Sequence, residues 1–130
     1  MIIKAETIEA LLLSLIAVFA PIKAVILTIL ALIVIDAILG VLAARKRGDL
    51  ITSSGLRRTL SKIILYELAV AACFLAETYL IGTFIPVTKI VSAIVGVIEL
   101  KSILENADEL NGQPVFKSLI DKLGSKNEEK

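Results

Sequence analysis

The chain has 130 residues, of which 57% are hydrophobic and 21% charged, with 14 basic against 13 acidic side chains and a net charge of +1. Soluble domains carry about 45–50% apolar residues, and a chain this short has too little interior to bury more. The balanced charge argues against a nucleic-acid partner, and the absence of histidine excludes a Ser-His-Asp triad and His-ligated metal sites. We therefore expect one integral membrane domain over residues 1–130, all-α, with no enzymatic activity, cofactor or metal.

The first predicted helix covers residues 5–22, which are uncharged after Glu9. About 20 helical residues cross the core of a bilayer, so this segment spans the membrane only if Glu6 and Glu9 lie at its surface. A helix that lies half-buried in the interface is the alternative. A cleavable signal peptide is disfavoured, because the N-terminus is not clearly positive and Pro21 directly follows the best small-residue cleavage site.

The second predicted helix, residues 24–44, is long and apolar enough to cross a bilayer, and Asp36 is the one charged residue inside it. A carboxylate at this depth costs at least about 2.5 kcal/mol on insertion scales, so it is more often functional than accidental. The loop that follows is strongly basic and is expected in the cytoplasm under the positive-inside rule. Its cationic residues are Arg45, Lys46, Arg47, Arg57, Arg58 and Lys62.

Two further helices are predicted over residues 59–81 and 87–110, joined by a short hairpin connection that faces away from the cytoplasm. The polar tail, residues 111–130, then lies in the cytoplasm, with room for a short amphipathic helix around residues 116–123. The expected architecture is a bundle of three or four membrane-spanning helices, the number depending on whether the first segment spans.

Three acidic residues from three of these helices fall at a similar depth. Counted at about 1.5 Å per helical residue, Asp36 and Glu67 each lie about 13 Å from the cytoplasmic surface, and Glu99 about 9 Å. Ser102 follows Glu99 by one helical turn and shares its face. This intramembrane polar layer either joins the helices by pairing with lysines and hydroxyls, or lines a surface that an oligomer exposes to water. The two interpretations are compatible.

Helix packing is predicted from small residues four positions apart, which let membrane helices approach closely. These pairs are Gly40 with Ala44, Ala69 with Cys73, and Ser92 with Gly96. Cys73 is the only cysteine, so we expect a buried packing residue and no disulfide.

Three stretches of the sequence are informative when taken together. They are residues 35–62, the Ile-Pro-Val-Thr-Lys turn at 85–89, and residues 98–126. An Asp-x-x-x-Gly motif inside a span precedes a basic Ser/Gly loop, and the last span ends in Glu-x-x-Ser-Ile-x-Glu-Asn. The combination resembles phage holin family 4, the toxin-secretion and phage-lysis holins. The matching positions are Asp36, Gly40, Ser54, Gly55, Leu56, Lys62, Glu99, Ser102, Ile103, Glu105 and Asn106.

The resemblance implies a small phage-encoded protein that accumulates in the cytoplasmic membrane of a bacterial host. Such proteins form homo-oligomers and open lesions that release an endolysin, with no required contact between the two, or secrete another protein. The loop at 45–62 and the tail would face the cytoplasm. The alternatives, in decreasing order of fit, are a structural scaffold or antiholin partner, a small proton-coupled transporter subunit, and a membrane lipid kinase.

Overall fold

The computed structural model describes residues 4–82 and 84–125. Five α-helices follow one another along the chain: α1 Ala5–Phe19, α2 Lys23–Arg47, α3 Ser53–Ala76, α4 Val87–Asn111 and α5 Val115–Ser125. A 3₁₀ turn, Ala20–Ile22, joins α1 to α2, and a π-helical turn, Glu77–Ile81, extends α3. The prediction of an all-α fold is confirmed for the residues described.

Two helices are longer than the apolar pattern predicts, because polar residues prolong them. α2 continues through its three basic residues to Gly48, whose φ of 82° lies in the left-handed region and ends the helix. α3 begins at Ser53 rather than at residue 59, directly after the extended residue Thr52. α4 ends at Gly112, which has a φ of 75° and stops this helix as Gly48 stops α2.

α2, α3 and α4 form a three-helix bundle in which α2 and α4 share the largest contact. One end of the bundle holds the loop between α2 and α3, and we call it the loop end. The other holds the connection between α3 and α4, and we call it the hairpin end. The apolar core lies at the centre and towards the hairpin end, and its buried members are Ile22, Ile29, Ile33, Val70 and Val95.

α1 stands apart from this bundle. None of its residues is buried, and Leu13 and Ile16 are 67% and 68% exposed. Its C-terminal end reaches the bundle through Phe19, which packs on the core with its ring centroid 6.1 Å from that of Phe74. Acyl chains cover such a surface in a bilayer, whereas water would leave it uncovered.

Two helical stretches are long and apolar enough to cross a membrane, Ala5–Arg47 and Ser53–Ile81. Only 17% and 6% of their most apolar windows are buried inside the protein. A core helix of a soluble protein would bury most of its apolar residues, so this exposure indicates membrane localisation. α4 is not among these stretches, because Lys89, Glu99 and Lys101 interrupt its apolar part.

Candidate functional site

A largely buried group of charged side chains joins α2, α3 and α4 in the half of the bundle nearer the loop end. Nζ of Lys62 donates a hydrogen bond of 2.8 Å to Oδ2 of Asp36 and lies 3.1 Å from both carboxylate oxygens of Glu99. Each helix of the bundle therefore supplies one of the three charges. We call these residues, together with Asn106, the ionic cluster.

α4 presents a polar stripe to this cluster. Glu99, Ser102 and Asn106 lie at positions i, i+3 and i+7, which the helical repeat places on one face. Nδ2 of Asn106 donates to Oδ1 of Asp36 at 3.1 Å, and Ser102 lies beside the same carboxylate. Gly40 faces the amide, since a Cβ at that position would lie at an ordinary contact distance of 3.5 Å from Nδ2 of Asn106. The Asp-x-x-x-Gly motif of α2 and the Glu-x-x-Ser-Ile-x-Glu-Asn motif of α4 thus meet at one helix interface.

The cluster holds one cation for two carboxylates. Glu99 is fully buried, and the side chains of Asp36 and Lys62 are 12% and 21% exposed. Taking each charge out of water costs several kcal/mol unless partners compensate, and hydrocarbon offers no replacement partner. Both carboxylates therefore depend on the same ammonium group, and with all three groups ionised the cluster keeps one excess negative charge.

Glu67 does not join this cluster, although the sequence predicts a similar depth for it. It follows Lys62 by five residues, which turns its side chain by about 140° around the axis of α3. Both of its carboxylate oxygens are shielded from solvent, and neither accepts a hydrogen bond from the residues described. The acids predicted to share one layer are thus divided into a paired set and a separate carboxylate.

A second set of polar contacts closes the loop end. Nζ of Lys46 donates to the backbone carbonyls of Glu109 and Leu110, at 2.9 Å each, and caps the last turn of α4. The guanidinium of Arg47 pairs with the carboxylates of Glu109 at 2.5 Å and Asp49 at 2.7 Å. We call Lys46, Arg47 and Glu109 the loop-end clasp. Its ion pairs are exposed, so they orient α2 against α4 more than they stabilise the contact.

The other residues of the basic loop lie on the surface. Arg45, Arg57 and Arg58 are exposed, and Ser54 and Gly55 form the exposed first turn of α3. Glu105 points away from the ionic cluster and pairs with Lys101 at 3.8 Å, both side chains being largely exposed. The basic surface of this end thus faces the surroundings of the bundle rather than its interior.

At the hairpin end, a charged side chain contacts a helix terminus. Oε2 of Glu77 accepts a hydrogen bond of 2.7 Å from the backbone N–H of Thr88, in the first turn of α4. A carboxylate at a helix N-terminus is also favoured by the helix dipole. Beside this contact a groove of about 610 Å³ runs between α2 and α4, lined mainly by small and apolar side chains such as Ala24 and Gly96.

The predicted small-residue pairs lie in different surroundings. Gly40 and Gly96 face the contact between α2 and α4, since a Cβ at Gly40 would meet Asn106 and one at Gly96 would meet Leu32 at 4.0 Å. Ala44, Cys73 and Ser92 are half-buried, and Ala69 is exposed. Within one protomer, the small residues therefore contribute chiefly between α2 and α4.

The contacts that charged side chains make with helix ends were not predicted from the sequence. Lys46 at the C-terminus of α4 and Glu77 at the N-terminus of α4 are two of them. Asp108, whose carboxylate accepts from the backbone of α5, is a third. The available clue was the sign of each charge, because cations favour helix C-termini and anions favour N-termini.

Comparison with known protein families gives a match over most of the chain. The family model described as the bacteriophage holin family matches residues 14–127. The matched range includes all of α2 to α5, the ionic cluster and the loop-end clasp. No curated protein and no solved structure matches the chain.

Proposed function

The chain belongs to the bacteriophage holin family, and from this we propose that it acts as a holin. It accumulates in the cytoplasmic membrane of the bacterial host, oligomerises there and opens lesions through which an endolysin, or another secreted protein, leaves the cell. The observation that carries the proposal is the ionic cluster. Charged side chains between membrane helices are costly to bury, so they are more often functional than accidental.

In the single protomer, the ionic cluster keeps the bundle closed. Lys62 pairs with Asp36 and Glu99 at the same time. Separating α3 from its neighbours therefore leaves both carboxylates without a cation. Lipid cannot solvate them, and the closed protomer is therefore favoured while acyl chains surround it. This state corresponds to a holin that accumulates without damaging the membrane.

In an oligomer, the same groups can change partners. Lys62 of one protomer can pair with a carboxylate of the next, and the groups released from pairing can line a water-filled wall. The excess negative charge of the cluster and the unpaired carboxylate of Glu67 both favour such a rearrangement, because each gains from contact with water or with a further cation. The cluster thus stabilises the closed protomer and supplies polar groups for the open assembly.

The proposed topology follows from the charged ends of the helices. α2 and α3 span the membrane with the basic loop, residues 45–62, in the cytoplasm. α4 forms a third span whose polar stripe faces α2, and the polar tail that follows it stays in the cytoplasm. α1 is a fourth span or lies along the interface.

The test is timed lysis after induction of the chain together with an endolysin. Asp36→Asn and Glu99→Gln each leave Lys62 with one carboxylate, which removes the excess charge and stabilises the closed protomer, so lysis is expected later. Glu67→Gln removes the unpaired carboxylate and is expected to delay lysis as well. Glu105→Gln, which alters an exposed pair, is the matched control and should lyse on time. If Asp36→Asn, Glu99→Gln and Glu67→Gln all leave the lysis time unchanged, the proposed role of these carboxylates in lysis is contradicted.

A second candidate is an antiholin or a scaffold that only binds a partner in the membrane. The complete pairing of Lys62 and Asp36 within one protomer favours it, since a structural protein needs nothing more from these groups. Expression of the chain alone separates the two. A holin collapses the membrane potential of its host abruptly, and a scaffold leaves the potential unchanged.

A further inference from the structure

α5 has a sharply divided surface. At about 100° per residue, its five large apolar side chains fall within an arc of about 140°. They are Val115, Phe116, Leu119, Ile120 and Leu123. Lys122 lies about 20° outside one edge of this arc and Lys117 about 60° outside the other. Ser118 and Asp121 lie between the two lysines, on the polar side of the helix. The two cations thus flank the apolar face from opposite sides.

The apolar face of α5 is uncovered. The exposed fractions of its five side chains run from 38% for Phe116 to 63% for Leu123. α5 packs chiefly against the end of α4, and none of its residues is buried. Phenylalanine, leucine and isoleucine left in water at one face of a helix are unfavourable, so this face requires a cover.

The start of α5 is held at a defined level of the molecule. The carboxylate of Asp108, in the last turn of α4, accepts hydrogen bonds from the backbone N–H groups of Phe116 and Lys117, at 2.9 and 2.8 Å. The neighbouring residue Glu109 belongs to the loop-end clasp, which also contains the basic end of α2. α5 therefore begins beside the residues that mark the cytoplasmic surface in the proposed topology.

We propose that α5 lies in the inner leaflet of the membrane, parallel to its surface, and binds anionic lipid. Its apolar face enters the boundary of the acyl chains, while the stems of Lys117 and Lys122 run along that boundary and carry their ammonium groups to lipid phosphates. This placement of the cations matches a lipid surface, whose phosphates lie along both edges of the buried face. The inference rests on the proposed insertion of the bundle in the membrane, and it assigns α5 as an anchor that fixes the depth of α4.

The experiment uses the full chain, purified and reconstituted in phosphatidylcholine vesicles with and without phosphatidylglycerol. In a Cys73→Ser background, an environment-sensitive fluorophore is attached to Leu119→Cys on the apolar face or to the adjacent Ser118→Cys on the polar face. Nitroxide-labelled lipids then quench probes that lie in the bilayer. We expect several-fold stronger quenching at position 119 than at 118, and weaker quenching at 119 when phosphatidylglycerol is omitted or when Lys117→Gln and Lys122→Gln are combined.

Two further labelled positions separate this inference from the proposed function. Leu68→Cys, on the exposed apolar surface of α3, reports insertion of the bundle, and Ser54→Cys reports the aqueous loop. Strong quenching at position 68 with equal, weak quenching at 118 and 119 would overturn the inference about α5 alone. Shielding of position 119 that depends on protein density and not on lipid quencher would assign the face to a second copy and would also overturn it. Absence of quenching at position 68 would overturn the membrane topology and the anchor together.

Discussion

The two ends of the three-helix bundle are held together by different interactions. At the hairpin end, Ile22, Ile29 and Val95 pack together and one carboxylate, that of Glu77, caps α4. Towards the loop end, the ionic cluster and the loop-end clasp connect the same helices through charged groups. The hairpin end is thus held mainly by apolar packing, and the loop end by specific pairs of polar atoms.

This difference matters because the surrounding solvent is lipid. Acyl chains are as apolar as leucine, so apolar packing alone gives membrane helices little preference for one another over lipid. Polar pairs do give such a preference, since lipid cannot replace the lost partner. The loop end therefore specifies how α2, α3 and α4 pair, and it is also the end at which an exchange of partners between protomers would have the largest effect.

The largest effect is expected from Lys62→Met, which removes the cation of the ionic cluster and so tests whether charged contacts hold the loop end. The substitution leaves Asp36 and Glu99 buried without a cation and should lower the free energy of unfolding by on the order of 3 kcal/mol. Helix content followed by circular dichroism during titration with sodium dodecyl sulfate measures it. Lys101→Met is the matched control, because it removes a cation from an exposed pair worth at most about 0.5 kcal/mol. Equal losses for both variants would show that the cluster does not hold the bundle.

Neutralising the whole cluster should restore most of that stability. In the triple variant Asp36→Asn, Lys62→Met and Glu99→Gln, no buried charge remains unpaired, and such replacements are often neutral or stabilising. We expect the unfolding free energy to return to within about 1 kcal/mol of the unmodified chain, while timed lysis stays delayed. Normal lysis by this stable variant would show that function does not need the charges.

A smaller effect is expected at the hairpin end from Glu77→Gln. The neutral amide still accepts from the N–H of Thr88, so only the charge at the helix terminus is lost. The melting temperature in detergent should fall slightly, and by less than for Lys62→Met. Glu6→Gln, on the exposed surface of α1, controls for the loss of an acidic group as such. A larger loss for Glu77→Gln than for Lys62→Met would reverse the comparison between the two ends.

The smallest effect is expected from Gly40→Ala. A methyl group at this position would lie at ordinary contact distance, 3.5 Å, from the amide of Asn106, and alanine gains helix propensity over glycine. We expect a change within about 0.5 kcal/mol and an unchanged lysis time. Gly40→Leu sharpens the test, because its larger side chain displaces Asn106 from Asp36 and removes a hydrogen bond that holds the closed protomer. Its lysis should therefore come earlier, whereas Asp36→Asn delays lysis.

Composition and motif spacing were enough to predict an all-α membrane protein and the positions of its apolar helices. They also placed Asp36 and Glu99 at a common depth, and the structure joins these two residues through Lys62. Depth was counted from sequence along the helix axis, but rotation about that axis depends on which face of α3 packs inward. Glu67 therefore shared the predicted level without sharing the contact.

Helix bounds were predicted less well where charged residues continue a helix. The apolar pattern ends α2 at residue 44 and begins α3 at residue 59, whereas the backbone stays helical through Arg47 and from Ser53. The cause is that hydrogen bonds along the backbone, and not hydrophobicity, decide where a helix stops, and Gly48 supplies that stop for α2. The charged caps at Lys46, Glu77 and Asp108 depend on contacts between helices, which a pattern along one helix does not contain.

The helical run from α1 through α2 also limits how the chain can sit in a membrane. Its 43 residues would measure about 65 Å if straight, twice the thickness of a bilayer core of about 30 Å. α2 alone fills that thickness, so a straight continuation would carry the leucines of α1 into water. The path has to change direction at the 3₁₀ turn, where Pro21 lacks an N–H for the helical ladder. The direction of the turn Ala20–Ile22 thereby determines on which side of the bilayer Lys4 lies. Substitutions at Pro21 can change the direction of α1 while leaving the three-helix bundle intact.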